Sequence, residues 1–147
     1  MDRVRVPTPP ENASRMVVLV TMGEVDRYQI HYTAYHRWMD QAYHRLVKAA
    51  GRSIATLLDA GAATPAVRSG CDFLRPVHLE DEVTIQSWIE RPGRSSFAVR
   101  HLFTDHRGQP VAVGEVIHVY IESGCPAPLP DWLRSLAASA RKGEVAS

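Results

Sequence analysis

One stretch near the middle of the N-terminal half limits the possible folds more than any other part of the chain. From Tyr35 the apolar residues recur as Tyr35, Trp38, Met39, Ala42, Leu46, Ala49 and Ala50, the i, i+3, i+4, i+7 spacing of a single helical face. The opposite face collects His36, Arg37, Asp40, Gln41, His44, Arg45 and Lys48. Thr33 precedes the pattern as a candidate N-cap, and Gly51 follows it as a candidate C′ residue. The spacing predicts one long amphipathic helix over 33–50. Its broad apolar face needs a partner large enough to cover it.

The rest of the chain offers only a sheet. The run Met16 to Val20 is apolar and β-branched and suits a buried strand ending before Gly23. After a short apolar segment, Ile54 to Leu58, the texture changes from period 3.6 to period 2. Residues 65–75 form one run. Val83, Ile85, Ser87 and Ile89 then alternate against Thr84, Gln86, Trp88 and Glu90, and Phe97, Val99, His101 and Phe103 against Ala98, Arg100 and Leu102. Pro92-Gly93 and Asp105 to Gly108 supply reversals, Pro110 to Glu122 suits a central strand, and Pro130 to Ala140 suits a short terminal helix. The order predicts an α+β fold in which a curved antiparallel sheet of about five strands wraps one helix.

At 147 residues the chain has the size of one domain. The expected boundaries are a flexible arm over 1–14 carrying Pro7, Pro9 and Pro10, a single domain over 15–141 and a flexible tail over 142–147. A net charge of +1 gives no reason to expect nucleic acid as a partner. The N-terminal residues lack the apolar core of a secretory signal, and no run approaches the roughly 18 apolar residues of a membrane span, so a cytoplasmic protein is expected. Cys71 and Cys125 lack metal spacing and read as reduced thiols. His36, His44, His78, His101, His106 and His118 show no two-His-one-acid pattern, so no metal site is expected.

Several stretches carry a resemblance. Gly23-Glu24-Val25-Asp26 follows the first strand, and Tyr35-His36-Arg37-Trp38-Met39-Asp40 opens the helix. Gly70-Cys71-Asp72-Phe73-Leu74-Arg75-Pro76-Val77, Glu80-Asp81-Glu82-Val83 and Gly93-Arg94-Ser95-Ser96-Phe97 follow it. Together, over roughly residues 15–122, they resemble hotdog-fold acyl-CoA thioesterases of the 4-hydroxybenzoyl-CoA thioesterase-like family. The resemblance implies hydrolysis of an acyl thioester of coenzyme A or of a carrier protein, without metal or bound cofactor. It also implies a homodimer joined edge to edge, often paired into a homotetramer, with active sites between protomers.

A thioester hydrolase needs a group to attack the carbonyl or activate water, and donors for the oxyanion that develops. The resemblance places the catalytic carboxylate at Asp26, after the first strand and before the helix; an aspartate that merely makes a turn is the competing reading. Glu24 is the nearby alternative, read as a solvated strand-end acid. Exposed N–H groups at a helix start suit the oxyanion, which points to the Tyr32 N–H with His31 beside it. The His31 imidazole could also donate a hydrogen bond, or could simply meet solvent. Tyr35 follows Asp26 by one residue fewer than in the family pattern, and Gln29 occupies its glycine position. Asp40, the only acid on the helix, is read as structural, pairing with Arg37 or His44.

For the coenzyme A end of the substrate, the turn Arg91 to Ser96 matches where the family keeps basic and hydroxyl groups. Arg94 and Arg91 are candidate phosphate ligands, and Ser95 and Ser96 candidate pantetheine contacts. Tyr28, Tyr32, Tyr35 and Trp38 are candidates for the acyl pocket, though aromatic residues at helical spacing equally suit a core. Two other activities remain open for a hotdog domain: a dehydratase or hydratase using Asp26 and His31, and a non-catalytic acyl-CoA-binding protein.

Overall fold

The computed structural model describes residues 4–26 and 29–137. Residues 1–3 of the expected arm, Tyr28, the part of the domain and terminal helix expected beyond 137, and the tail over 142–147 lie outside the described residues. The chain runs through β1 (Ser14–Leu19), a 3-10 turn (Met22–Glu24), β2 (Val25–Asp26), β3 (Gln29–Ile30) and α1 (Tyr32–Ala49). Next come α2 (Ile54–Asp59), β4 (Ala62–Ala63), β5 (Ala66–Phe73), β6 (Glu82–Glu90), β7 (Ser96–Thr104) and β8 (Pro110–Val119). The short β9 (Ile121–Glu122) and β10 (Cys125–Pro126) complete the order. Residues 131–137 are helical, as expected.

The main sheet has five strands in the order β1-β6-β7-β8-β5, antiparallel throughout, matching the expected architecture. The first main-sheet strand after α1, β5, lies at one edge and β1 at the other, so the chain fills the middle with the β6-β7-β8 meander. Helix α1 lies across the inner face. It buries Ala34, Tyr35, Trp38, Met39, Ala42, Tyr43, Leu46 and Val47, which extends the expected face to Tyr43 and Val47 and leaves Ala49 exposed. A helix cradled by a sheet is covered over a wider arc than the strict stripe read from the sequence.

One detail differs from expectation. Thr33 is not the N-cap; His31 holds that position in extended backbone, its ring accepting from the Thr33 N–H, because the helix begins one turn-position earlier at Tyr32. The outward faces of β6 and β7 are not simply solvated: Trp88, Leu102 and Val113 form a small buried cluster covered by Ala13 and Leu74. Asn12 Nδ2 donates to the Leu136 carbonyl at 3.0 Å, so the residues just before β1 are tied across the back of the sheet. Gly51 does adopt φ +78° after the helix, where the sequence placed a C′ glycine.

Helix and sheet meet most closely at the centre of β8. A Cβ on Gly114 would run into Met39 Sδ, and Gly114 pairs with Cys71 on β5 and His101 on β7. Met39 is 1% exposed and cannot swing aside into solvent. Gly114→Ala is therefore expected to destabilise by about 1–3 kcal/mol, the usual cost of overpacking a core, despite alanine's lower unfolded-state entropy. Denaturant unfolding checks it; an unchanged midpoint would refute this account of the contact.

Beside that contact the core holds an imidazole. His101 is fully buried, with its Nδ1 paired to Ser87 Oγ at 2.7 Å and its Nε2 without a partner among the described residues. Burial, with nearby His118 adding, pulls its pKa from 6.5 down to about 3. The unfolded chain binds a proton near 6.5 that the folded one refuses, so this term is fully favourable above that pH and declines as pH falls toward about 3. The slope is at most about 1.4 kcal/mol per pH unit for one site. Urea midpoints measured between about pH 7.5 and 5 should fall with acid in wild type and fall less steeply in His101→Gln.

Candidate active site

After β1 the chain turns through a capping box. Glu24 Oε2 accepts from the Thr21 N–H at 2.9 Å and from Thr21 Oγ1 at 2.5 Å. That leaves the carboxylate of Glu24 engaged in holding the turn rather than free. Asp26 behaves differently: it is exposed, and among the described residues nothing hydrogen-bonds its carboxylate or forms an ion pair with it. It pairs through the backbone with Gln29, and β2 and β3 form a short antiparallel pair that precedes the helix. Gln29 in turn bridges His78, which anchors the hairpin to the segment following β5.

The backbone donors at the start of α1 can be followed one by one. The His31 N–H goes to the Glu24 carbonyl at 2.6 Å. Thr33 N–H goes to His31 Nδ1 at 3.3 Å, and Ala34 N–H to the His31 carbonyl at 3.0 Å. Tyr32, at the first helical position, has no intrahelical acceptor for its N–H, and none is found among the described residues. Because His31 Nδ1 accepts from a backbone N–H, the neutral ring carries its proton on Nε2. The ring also stacks on Tyr32, with centroids 4.9 Å apart.

A cleft of about 310 Å³ opens beside this helix start. Gln29, Ile30, Tyr32 and Tyr35 form one wall, and the stretch Phe73 to Val77 forms the other. Tyr32 is 60% exposed at its mouth, whereas Tyr35 is 2% exposed and wedged against Trp38, Phe73 and Phe103 at centroid distances of 5.5, 4.9 and 5.3 Å. Burial, reinforced by neighbouring Cys71, pushes the Tyr35 phenol up to about 12. Arg75 brings a positive charge to the lining, its Nη1 donating to Gln109 Oε1 at 3.1 Å.

Tyr32 and Tyr35 line the cleft and His31 caps the helix beside them, whereas Asp26 and His31 are not among the lining residues and Asp26 is tied to the cleft wall through its backbone pairing with Gln29. The structure separates the other candidates. Trp38 is 4% exposed inside the core and does not line the cleft. Tyr28 lies outside the described residues. Arg91, Arg94, Ser95 and Ser96 sit at the far end of β6, whose nine residues span about 27 Å at ~3.4 Å per step. Arg91 is occupied by Glu115 at 2.7 Å. Burial works to raise the Glu115 carboxyl, but hydrogen bonds from Arg91 and Arg100 outweigh it and hold it below its usual range. Arg94 is exposed, and the carbonyls of Gly93 and Arg94 receive Arg134 Nη2 at 3.0 and 3.3 Å. Asp40 lies 3.8 Å from His44 on the outer face of the helix, as its spacing suggested.

Sequence reasoning did not single out Gln29, Phe73 or Arg75 as cleft residues. No local pattern marks them, because they meet α1 only through the turn that returns residues 74–78 alongside β3. Cys71 and Cys125 are both free thiols, and no grouping of His, Cys, Asp and Glu suited to a metal occurs among the described residues. Nor does any helix there have the length and apolarity to cross a membrane.

Comparison with known proteins adds independent findings. Residues 20–136 match the model of the thioesterase-like superfamily. A 1,4-dihydroxy-2-naphthoyl-CoA hydrolase from Synechococcus elongatus is 30% identical over 105 residues, covering 66% of this chain and 76% of the relative. Among solved structures, a gentisyl-coenzyme A thioesterase superposes with TM-score 0.76 at 27% identity, over 84% of this chain and 98% of its own. A 1,4-dihydroxy-2-naphthoyl-CoA thioesterase from Synechocystis superposes with TM-score 0.79 at 19% identity, over 86% and 96%, a likeness of fold.

The capping role of His31 can be tested separately from any chemistry. His31→Ala should cost about 1 kcal/mol in denaturant unfolding, and His31→Asn, which keeps a side-chain acceptor at the N-cap, should recover most of it. Equal losses in both variants would mean that the ring's stacking on Tyr32, and not the cap, carries the stability.

Proposed function

This chain belongs to the thioesterase-like superfamily, and on that premise we propose that it cleaves its substrate with Asp26 as the catalytic carboxylate and the Tyr32 N–H as oxyanion donor. The activity is acyl-CoA thioester hydrolysis, in keeping with relatives named as thioesterases. The observation that carries the site assignment is the arrangement at the helix start. Among the described residues the His31, Thr33 and Ala34 N–H groups are taken up locally, while the Tyr32 N–H finds no acceptor, the Asp26 carboxylate finds no partner, and Tyr32 lines an open cleft.

The reaction follows from that arrangement. The thioester carbonyl lies over the first turn of α1, where the Tyr32 N–H and the positive end of the helix stabilise the tetrahedral oxyanion. Asp26 either attacks the carbonyl, giving a mixed anhydride that water then opens, or removes a proton from the attacking water. In both routes the C–S bond breaks, the thiolate takes a proton, and free acid and coenzyme A leave. His31, protonated on Nε2 when neutral, can donate to the carbonyl or to the water. Label found on Asp26 after a single turnover in isotopically labelled water establishes the anhydride path with water attacking the Asp26 carboxyl carbon, since the general-base path never labels Asp26.

The cleft suits a compact acyl group. At ~30 Å³ per water-sized group, 310 Å³ holds roughly ten such groups, the scale of one or two aromatic rings. The named relatives act on dihydroxynaphthoyl and gentisyl thioesters, which fits that scale. Acyl-carrier protein is the alternative thiol bearer.

The same reading assigns coenzyme A to two protomers. Strand β5 is an exposed edge along almost its whole length, and its outward ladder groups meet no strand among the described residues. A two-fold antiparallel pairing of β5 with its copy carries the partner's turn over 91–96 to the end of the sheet where Asp26 lies. Arg94 would then meet phosphate and Ser95 and Ser96 the pantetheine arm, with Arg91 steering from its Glu115 pair. The proposed assembly is a homodimer that can pair again into a homotetramer, in the cytoplasm.

Asp26→Asn is expected to lower kcat by about a hundredfold or more on a panel of benzoyl, hydroxybenzoyl, phenylacetyl and alkanoyl-CoA thioesters, with circular dichroism unchanged. A variant that keeps the wild-type rate would remove Asp26 from the mechanism. A wild-type enzyme active only on acyl-carrier protein would correct the thiol bearer and leave the site in place.

A further inference from the structure

A second cavity, of about 560 Å³, opens between Val4 and Arg5 of the N-terminal segment and strands β5, β7 and β8. It lies on the face of the sheet turned away from α1. Gly114 presents its Cα to Met39 of the helix, so its neighbours Val113 and Glu115 point the opposite way, into the cavity. Across the strands Arg100, Glu115 and Gly70 stand in one row on that outer face. Arg100 and Glu115 fill their places in the row, and Gly70 leaves its own empty.

Nothing in the fold calls for glycine at position 70. A Cβ there would meet no atom within 4 Å, and the residue has ordinary strand backbone with no positive φ. Glycine inside a strand gives up side-chain packing and costs chain entropy, and it commonly marks a place where a ligand or another backbone comes close. Pairing of β5 along its edge is not the reason, because an edge offers backbone groups in the plane of the sheet, whereas the missing Cβ opens its face.

Three arginines border the opening. Arg100 is fixed by Glu115, its Nη1 donating to Oε2 at 3.0 Å, while its Nε is buried, 3.9 Å from Glu90 Oε2, and has no hydrogen-bond partner among the described residues. Arg5 and Arg68 are exposed and form no hydrogen bond or ion pair among the described residues. Of the two acids in the lining, Glu115 is already met by Arg91 at 2.7 Å and by Arg100, so Asp72 alone stands against two uncommitted guanidinium groups. The balance is one positive charge and several unused forked donors, which suit a phosphate group. Asp72 can accept from a hydroxyl or amino group, and Val4 and Val113 supply apolar surface beside the bare backbone of Gly70 and Gly114. At ~30 Å³ per water-sized group the cavity holds roughly nineteen such groups, the scale of a nucleoside monophosphate.

We propose that this cavity binds a small phosphorylated compound carrying a ring and a hydroxyl or amino donor, with Arg5 and Arg68 on the phosphate and the open place at Gly70 receiving the ring. The site shares no lining residue with the cleft at the helix start and does not include the turn over 91–96, so it stands independently of the thioesterase reading.

Calorimetry on the full chain tests it with adenosine 5′-monophosphate, inorganic phosphate and adenosine as probes. Wild type is expected to bind the monophosphate, to bind phosphate more weakly and to ignore adenosine. Arg68→Gln should weaken the monophosphate about tenfold or more, as loss of a charged phosphate contact does. Gly70→Leu should abolish its binding by filling the open place, with the circular dichroism spectrum of wild type because no neighbour is displaced. Arg94→Gln, in the turn assigned to coenzyme A, should change nothing. Phosphate bound as tightly as the monophosphate would uphold the anion site and identify free phosphate as its ligand. The proposal is overturned if wild type binds neither phosphate compound, if binding survives both Arg68→Gln and Gly70→Leu, or if Arg94→Gln is the variant that loses it.

Discussion

The close approach of α1 to the middle of the sheet is the constraint on which the rest of the molecule depends. Met39 rests where a side chain on Gly114 would otherwise be, and that single missing Cβ lets the helix settle into the curve of β6, β7 and β8. Around that point the core divides into two clusters along the helix. One surrounds Tyr35, Trp38 and Phe103; the other surrounds Tyr43, Phe97 and Leu133. The first fixes where the helix begins, and so fixes the direction in which its N-terminus points. The second is closed by residues 129–137, which also fasten the turn around Arg94.

A helix start held this firmly becomes useful because most of its unsatisfied donors have been dealt with. His31 is central to that: its carbonyl, ring nitrogen and N–H all take part in local bonds, to Ala34, Thr33 and Glu24 respectively. Among the described residues the Tyr32 N–H is the one left over, which is why the proposed reaction gives it the developing charge. The same economy distinguishes the two acids of the loop. Glu24 is consumed by its capping box, and Asp26 is not.

The chain also keeps its candidate recognition elements far apart. The cleft and Asp26 lie at one end of the sheet, and the basic turn over 91–96 lies at the other, with the length of β6 between them. Sheet geometry makes this unavoidable, since a hairpin turn and the loop leaving the neighbouring antiparallel strand must emerge at opposite ends. The sheet leaves two edge strands, β1 and β5, and the pairing proposed above uses β5 to bring a second copy's turn to the cleft end.

The helix, the five strands in their chain order and a loop carrying Asp26 between the first strand and the helix were legible in the sequence. Period 3.6 and period 2 are written locally, and a loop between a strand and a helix needs no tertiary information to find. Gly51 as the helix terminator and Asp40 as a partner of His44 were local in the same sense. The helix cap was misread at Thr33 because an imidazole is a less usual cap than a hydroxyl, and its choice depends on the stacking with Tyr32. Tertiary structure alone decided that Trp38 belongs to the core while Tyr35 reaches the cleft, since both share one helical face and only the sheet's curvature separates them. It alone brought Phe73 and Arg75 opposite that face, and it alone placed the arginines of the β6–β7 turn out of reach. Those relations are set by which strands pair and how far they run, and no spacing within the sequence records them.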